Sequence, residues 1–553
     1  MFGKLFVACA IAGVLAFAIG DRAVTVFAAQ DSCRSLVSLA LPHTFITEAA
    51  VVPEGAAGGG RQGGPAPTMV PARCVVTGVT KPSSDSEIRF EVWMPVSGWN
   101  GKYQQAGNGG WAGTIPTGAL TAAVLRGYAA AGTDDGHANG ALSADWAIGH
   151  PEKLVDFGYR AVHETSVQAK AIVAAFYKRD PSKSYFVGCS DGGREALMEA
   201  QRFPDDFHGI IAGAPANNWT GLMTMAVTLE RALDEANLPP SKLPAIQTAA
   251  LNACDSLDAV KDGLIEDPRA CKFDPDVLTC KGPETDQCLT APQVRTLRKI
   301  YSGPKDPRTG VQIAPGFVAG TEAVPGGWVP WIVPQPPGPQ GQRPVSLIAA
   351  FGNSFYGQAV AEDVAWDFRK WNVETEYPFA VEKTAGILNS MSPDLRSFRA
   401  AGGKLLQYHG WGDAAIPGTA SIEYYDRVRA FMTKYPDGRN AAPASVDQFY
   451  RLFMVPGMGH CGGGIGPNTF GNGGRSAATR TADPDRDLLA ALERWVESNV
   501  APDRIIASGD QGADASKPMT RPLCPYPQIA RYNGTGDPFV ADSFTCAVPG
   551  GSR

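Results

Sequence analysis

The sequence predicts an α/β fold: a doubly wound, mostly parallel sheet interrupted by one large insertion. Three observations point there. Short apolar runs alternate with helical segments between residues 88 and 215. A glycine-flanked serine, Gly188-Cys189-Ser190-Asp191-Gly192, lies between one such run and good helix material. The rhythm stops near residue 219 and resumes near residue 400.

Taken in order, the N-terminus reads as an export signal over residues 1–29. Lys4 precedes an apolar stretch from Leu5 to Ile19, and Ala28-Ala29 offers a cleavage site. At about 15 residues that stretch is short for the roughly 20 of a helical membrane span; an uncleaved anchor is the other reading. No other stretch is long and apolar enough to cross a bilayer, so no stable membrane association is expected after cleavage. The destination is secreted or periplasmic.

Residues 30–218 and 400–553 are expected to form the sheet domain, and 219–399 a lid. The first part holds Cys33, Cys74 and a Gly/Pro-rich stretch, Gly55 to Pro71, expected to be a loop. Ile88–Pro95 alternates in part and reads as a strand, as does Tyr103–Ala106, which the Gly107–Gly113 run ends at once. Gly127–Asp134 reads as a buried strand. Phe157–Tyr177 has helical spacing, with Ala161, Val167, Ala171, Ile172 and Phe176 as its apolar face. Tyr185–Val187 is the next strand, Arg194–Ala200 a helix, and Gly209–Pro215 another strand. Residues 219–399 carry helical pieces, four cysteines and proline-dense loops such as Pro334–Pro344. Lys404–His409 and Phe449–Val455 restore the strands, Arg486–Asn499 is an amphipathic helix, and Cys524 and Cys546 fall in a loop-rich tail.

The composition fits a large folded core: 553 residues, 44% hydrophobic and 19% charged. A net charge of −6 and a pI near 5.7 leave no basic footprint for nucleic acid. The 63 glycines and 44 prolines indicate long loops, not disorder, because apolar residues stay abundant. Of eleven cysteines, Cys9 lies in the export signal. An even number then remains, as disulfides in an exported chain require. The absence of a Cys-x-x-Cys pair with partner ligands argues against zinc.

A strand, a sharp turn and a helix around Gly-x-Ser-x-Gly is the nucleophile elbow of α/β-hydrolases. Alone, the pattern also fits a glycine-rich loop. A nucleophilic serine needs a base, and the base an orienting carboxylate. In this fold they follow in the order Ser, Asp, His, at strand ends. The strand after the insertion ends in His409-Gly410-Trp411-Gly412-Asp413, and the next in Val455-Pro456-Gly457-Met458-Gly459-His460. Asp413 is therefore the candidate acid and His460 the candidate base; of seven histidines, His460 alone follows the acid. Singly, Asp413 also suits a helix N-cap and His460 a loop. For the oxyanion, the candidates are the N–H groups of Asp191 and of Gly110, in a glycine-rich loop that also fits an ordinary turn. Cys189 precedes Ser190 and Cys461 follows His460, so a bridge between them would fix base against nucleophile; two unrelated thiols is the alternative.

A second cluster lies in the insertion. Asp255, Asp258 and Asp262, with Gly263 permitting a bend, can surround a hard cation with oxygen, though the spacing is not that of an EF-hand. A solvated acidic loop is the other reading.

Cys189-Ser190, Asp413 and His460-Cys461 resemble the Cys-Ser, Asp, His-Cys pattern of the tannase and feruloyl esterase family, which also includes the hydrolase of mono(2-hydroxyethyl) terephthalate. The resemblance runs through essentially the whole mature chain. It implies an α/β-hydrolase core with a lid and the disulfides Cys33–Cys74, Cys189–Cys461, Cys254–Cys271, Cys280–Cys288 and Cys524–Cys546. It implies a structural calcium held by side-chain oxygens of Asp255, Asp258 and Asp262 and by the carbonyls of Val260 and Leu264. The implied activity is serine carboxylic ester hydrolysis through an acyl-enzyme, without a redox cofactor. The implied substrate is a small ester of ferulate, gallate or a related benzoate, free or attached to plant polysaccharide or polyphenol. Trp328, Trp331, Phe351, Phe355 and Tyr356 are candidates for pocket walls, and as readily lid core. His409, Ala415 and Ile416, beside the acid, are candidates for the acyl pocket. Arg369 and Lys370 are candidates to meet a free carboxylate. Three alternatives stay open: a mono(2-hydroxyethyl) terephthalate hydrolase-like esterase, a non-catalytic calcium-stabilised polyphenol- or carbohydrate-binding protein, and a serine peptidase.

Overall fold

Parallel strands need long crossovers, and the chain supplies helices for them. The strands are β1 (Thr44–Val52), β2 (Arg73–Thr80), β3 (Ile88–Pro95), β4 (Lys102–Ala106), β5 (Ala129–Thr133), β6 (Lys183–Cys189), β7 (Gly209–Gly213), β8 (Lys404–Gly410) and β9 (Tyr450–Val455). In the computed structural model, which describes residues 29–56, 69–138, 140–334, 345–435, 445–472, 482–511 and 514–549, these nine form one sheet in the order β1-β2-β3-β5-β4-β6-β7-β8-β9. From β5 to β9 all neighbours are parallel, while β1, β2 and β3 extend one edge antiparallel.

Helices cover both faces, because each parallel strand is apolar on both. Phe186 of β6 shares a core with Ile172 and Val173 of α1 (Ala161–Tyr177) and Leu197 of α2 (Asp191–Arg202). Its neighbour Tyr185 points the other way, into a core with Leu492 and Trp495 of a helix at Leu488–Ser498. The same alternation splits Leu405 from Leu406 in β8 and Leu452 from Phe453 in β9. Between β7 and β8 the described chain adds helices and no strand to the sheet, beginning with α3 (Trp219–Glu235). Met225 and Leu229 of α3 pack on Leu297, Ile300 and Trp328 in a core separate from the sheet.

Several expectations need correction. The buried face of α1 is Ala161, Val162, Thr165, Ser166, Gln168, Ala169, Ile172 and Val173; Val167 and Ala171 are exposed and Phe176 lies at the margin. The helix is buried between sheet and neighbours, so polar Thr165 and Gln168 fall inside and the apolar count misplaces the face. Strands β1 and β2 were not expected. Their Val and Thr residues fill both faces of an edge pair, so little polar alternation marks them. The tail is not loop-rich: Ile505–Gln511 pairs with Asp514–Leu523, and Ile529–Tyr532 with Phe544–Ala547. The expected loop from Gly55 to Pro71 begins and ends in a two-residue bridge. Its centre, the proline-dense loop and the export signal lie mostly or wholly outside the described residues.

All five cysteine pairs implied by the resemblance are formed. No helix among the described residues is long and apolar enough to cross a membrane.

Candidate active site

Ser190 stands at the turn from β6 into α2 with φ 69° and ψ −121°, a conformation that a non-glycine residue seldom adopts. The turn is tight enough to exclude side chains around it. A Cβ on Gly188 would lie 2.2 Å from the Gly192 carbonyl, and one on Gly193 would lie 2.2 Å from that of Gly213. The Ser190 N–H donates to Gly213 O at 3.0 Å, and its carbonyl accepts from the Gly193, Arg194 and Ala216 N–H groups, each at 3.1 Å. The backbone is thus held on both sides while the hydroxyl stands free of the helix, making no capping bond.

Three strand ends converge there. Asp413 follows β8 and His460 follows β9. His460 Nε2 lies 2.9 Å from Ser190 Oγ, and His460 Nδ1 lies 2.8 Å from Asp413 Oδ2. A carboxylate can only accept, so Nδ1 carries the proton and Nε2 faces the serine hydroxyl as an acceptor. Asp413 Oδ1 accepts the N–H groups of Ala415 and Ile416 at 2.8 and 2.9 Å. Burial pushes the Asp413 carboxyl up, but His460 and His409 outweigh it and hold the group well below the usual carboxylate range.

The Cys189–Cys461 disulfide joins the two neighbours of this pair. Trp331, from the insertion, sets its ring edge against the His460 imidazole with centroids 5.0 Å apart.

In the glycine loop, the N–H groups of Gly107, Asn108 and Trp111 are engaged by Val187 O, Glu195 Oε2 and Ala141 O. Those of Gly109 and Gly110 donate to nothing among the described residues, nor does that of Asp191. Gly110 has φ 63° and no room for a Cβ, which would meet Ala141 O at 2.5 Å.

Behind the elbow lies a carboxylate cluster that no local motif marks. Asp135, Asp191 and Glu195 bring carboxylate oxygens within 4.8 Å of one another, all buried. Arg194 supplies the cation, its Nε 2.5 Å from Asp191 Oδ1. Both oxygens of Asp135 and Oε1 of Glu195 lack hydrogen-bond partners among the described residues. Burial, then Glu195 and Asp191, push the Asp135 carboxyl well up. Two acceptor carboxylates side by side with no donor between them call for a shared proton. Glu195 Oε2 in turn accepts the Asn108 N–H at 3.1 Å, tying this cluster to the glycine loop.

Two cavities open onto Ser190. One is apolar, walled by Trp219, Leu222, Met223 and Ala226 of α3, by Trp331, Ile348 and Phe351, and by Ala415 and Ile416 of the acid turn. The other is wider and lined on one side by Asn108, Pro116 and Leu142, on the other by His460, Cys461 and Asn472. Ser190, Gly110, Trp331 and Phe351 belong to both.

Some candidate wall residues are elsewhere. His409 lines neither cavity; it is buried behind the acid. Its Nε2 lies 3.0 Å from Ile416 O and 3.3 Å from Asp413 Oδ2, and its Nδ1 lies 2.7 Å from Ser421 Oγ. The β8 alternation turns His409 into the core, with Ser421 already in place to meet it. Trp328, Phe355 and Tyr356 are core residues of the insertion. Arg369 is on the surface with Asp234, 3.0 Å away, and Lys370 is exposed. The α3 wall carries no sequence mark because the turn after β7, bonded to Ser190 through the Ala216 N–H, brings it there.

In the acidic loop, Asp255 accepts the Gly263 N–H, Asp258 that of Val260 and Asp262 that of Leu264. Arg521 pairs with Asp262, and its other nitrogen lies 3.8 Å from Glu266. Asp258 is pushed up to about 6, by burial first and then by Asp262 and Asp255. Asp255 is raised too, by burial and by Asp262. Three carboxylates on one loop are the oxygen-donor chemistry that a hard divalent cation takes.

A model of the family described as tannase and feruloyl esterase matches residues 74–547. The chain is 42% identical over 537 residues to an uncharacterized esterase of Xanthomonas campestris pv. campestris, covering 95% of this chain and 92% of that one. It is 33% identical over 485 residues to a probable feruloyl esterase B-1 of Aspergillus flavus, covering 86% of each. The crystal structure of feruloyl esterase B from Aspergillus oryzae superposes with a TM-score of 0.82 at 29% identity, covering 94% of this chain and 100% of that one. The chain belongs to the tannase and feruloyl esterase family and is a carboxylic ester hydrolase of the α/β-hydrolase fold.

Proposed function

We propose that this is an exported serine esterase cleaving esters of aromatic acids through an acyl-enzyme. The observation that carries the reading is the continuous hydrogen-bonded series from Ser190 Oγ through His460 to Asp413. His460 Nε2 takes the Ser190 proton as Oγ attacks the ester carbonyl, and Asp413 stabilises the imidazolium that forms. The oxyanion is received by the N–H groups of Asp191 and Gly110; one such donor is worth about a hundredfold or more in kcat. His460 then gives its proton to the departing alcohol. Water, deprotonated by the same imidazole, releases the acid and restores Ser190.

The aromatic acyl group is supported by the ring-lined cavity beside Ser190 and by the names of the fungal relatives. Residues 219–399 act as a lid, supported by the α3, Trp331 and Phe351 walls. Export is supported by five disulfides, which persist in oxidising compartments. Asp255, Asp258, Asp262 and the carbonyls of Val260 and Leu264 would hold calcium, whose charge would settle the carboxylates and stiffen the lid without entering the chemistry.

Methyl ferulate hydrolysis by the wild-type chain and Ser190→Ala tests the reading, with an alkyl organophosphonate as label. Turnover that survives Ser190→Ala, or a label elsewhere than Ser190, would sink it.

A further inference from the structure

The two cavities at Ser190 are chemically unlike, and the position of His460 tells which half of an ester each receives. The alcohol oxygen must take its proton from His460 Nε2, so the leaving group departs on the side where His460 is exposed. That side is the wider cleft: His460, Cys461 and Asn472 line it and do not line the apolar cavity. The acyl group is left with the apolar cavity, about 480 Å³ against about 1160 Å³ for the cleft, mouths included.

Resting on the serine-esterase reading, we propose that this acyl cavity selects aromatic acids whose rings are bare or carry ether substituents. It excludes rings bearing an ionised carboxylate or several hydroxyls. Among the described residues, no hydroxyl or ionisable side chain other than Ser190 lines it. Its wall carries two side-chain N–H groups among the described residues, that of Trp219, covered and unpartnered, and that of Trp331; neither accepts a hydroxyl proton or supplies the charge a carboxylate needs. The groups expected to serve a polar ring are committed elsewhere. His409 is sealed behind Asp413 with both nitrogens engaged, and Arg369 is on the surface with Asp234. Each phenolic hydroxyl entering here loses its water and, Ser190 apart, meets no side-chain oxygen or nitrogen to accept its proton, and a carboxylate would be buried without a cation. A methoxyl group in the same place loses little and gains contact with Leu222, Met223 and Ile348.

The test is kcat/KM for methyl esters sharing one alcohol, in a cinnamate and a benzoate series. Each series carries no substituent, 4-methoxyl, two or three hydroxyls, or 4-carboxylate. p-Nitrophenyl acetate, whose acyl group leaves the cavity empty, reports the chemistry alone. The expected order is bare and methoxylated rings first, polyhydroxylated rings at least tenfold lower, and carboxylated rings at least a hundredfold lower. Leu222→Arg, at a half-buried position, should raise the carboxylated ester relative to the bare one by at least tenfold. Should that variant fail to fold by circular dichroism, the wild-type series decides by itself. Serine-dependent p-nitrophenyl acetate hydrolysis with polyhydroxylated or carboxylated esters equal to the bare ones overturns the assignment of the cavity alone. No serine-dependent p-nitrophenyl acetate hydrolysis overturns the esterase reading and this inference with it.

Discussion

Cys189 and Cys461 are joined across 272 residues of sequence, and each adjoins one member of the Ser190–His460 pair. The bond therefore ties the loop after β9 to the elbow at the point where a small displacement would separate base from nucleophile. Closing so long a loop is worth about 5 kcal/mol in the chain-entropy account. Replacing both cysteines with alanine should lower the melting temperature and reduce kcat at least tenfold, with a smaller change in KM. Calorimetry and steady-state kinetics on one ester check both; unchanged kcat would show that the loop holds His460 without the bond.

Asp413 receives the His460 Nδ1–H and two backbone N–H groups, so its charge and its shape can be separated. Asp413→Asn keeps the size but can present an amide donor to Nδ1, favouring the wrong tautomer. A loss of about 10⁴ in kcat is expected, with the circular dichroism spectrum unchanged. A loss under tenfold would show that another group orients the imidazole.

The Asp135–Glu195 pair should make stability depend on pH. The Asp135 carboxyl is raised in the folded protein, above all by burial. The native state then keeps a proton that the unfolded chain gives up near pH 4. This stability is fully present below that pH and is lost as pH rises toward the folded value. Asp135→Asn supplies an uncharged donor to Glu195 in place of the proton. Its melting temperature should fall less between pH 5 and pH 8 than that of the wild type. Parallel curves for the two would contradict the shared proton.

Glu195 also holds the Asn108 N–H, two residues from Gly110. Glu195→Gln keeps an acceptor and should retain most of kcat, whereas Glu195→Leu leaves the Asn108 donor buried and unpaired. The expected loss for the leucine variant is tenfold or more in kcat, with KM little changed, read by the ratio of the two variants. Equal activity in both would remove Glu195 from any part in positioning the loop.

On the proposed calcium site, chelation should lower the melting temperature without changing the preference among esters. At a hundred times the dissociation constant a bound ion contributes about 2.7 kcal/mol. Chelation followed by calorimetry, with Asp258→Asn as the variant that should no longer respond, checks this. No shift on chelation in the wild type removes the assignment.

What the sequence made legible and what it hid divide along a physical line. Ser190, Asp413 and His460 each sit at the end of an apolar run, so strand periodicity alone carries them to one edge of the sheet. The edge strands were hidden because Val75, Thr77 and Val79 alternate with Cys74 and Val76, and no polar stripe marks the outer face. His409 was misplaced by its nearness in sequence to the acid, since only the strand's alternation decides which way it faces. Trp219 and Met223 carry no local mark at all: the turn after β7, where the Ala216 N–H reaches Ser190 O, and the packing of Trp219 on Trp111 and Phe157 set the start of α3 opposite Ser190. Asp135 and Glu195 are far apart in sequence and meet only because β5 and β6 flank β4.

The backbone of Ser190 is held at a positive φ that costs on the order of 1–3 kcal/mol. Glycine would relax that turn, so one substitution there can make a sturdier protein, and one without a nucleophile. A laboratory lineage selected only for heat resistance should therefore drift toward Ser190→Gly. The serine persists only while something in the environment rewards what it does.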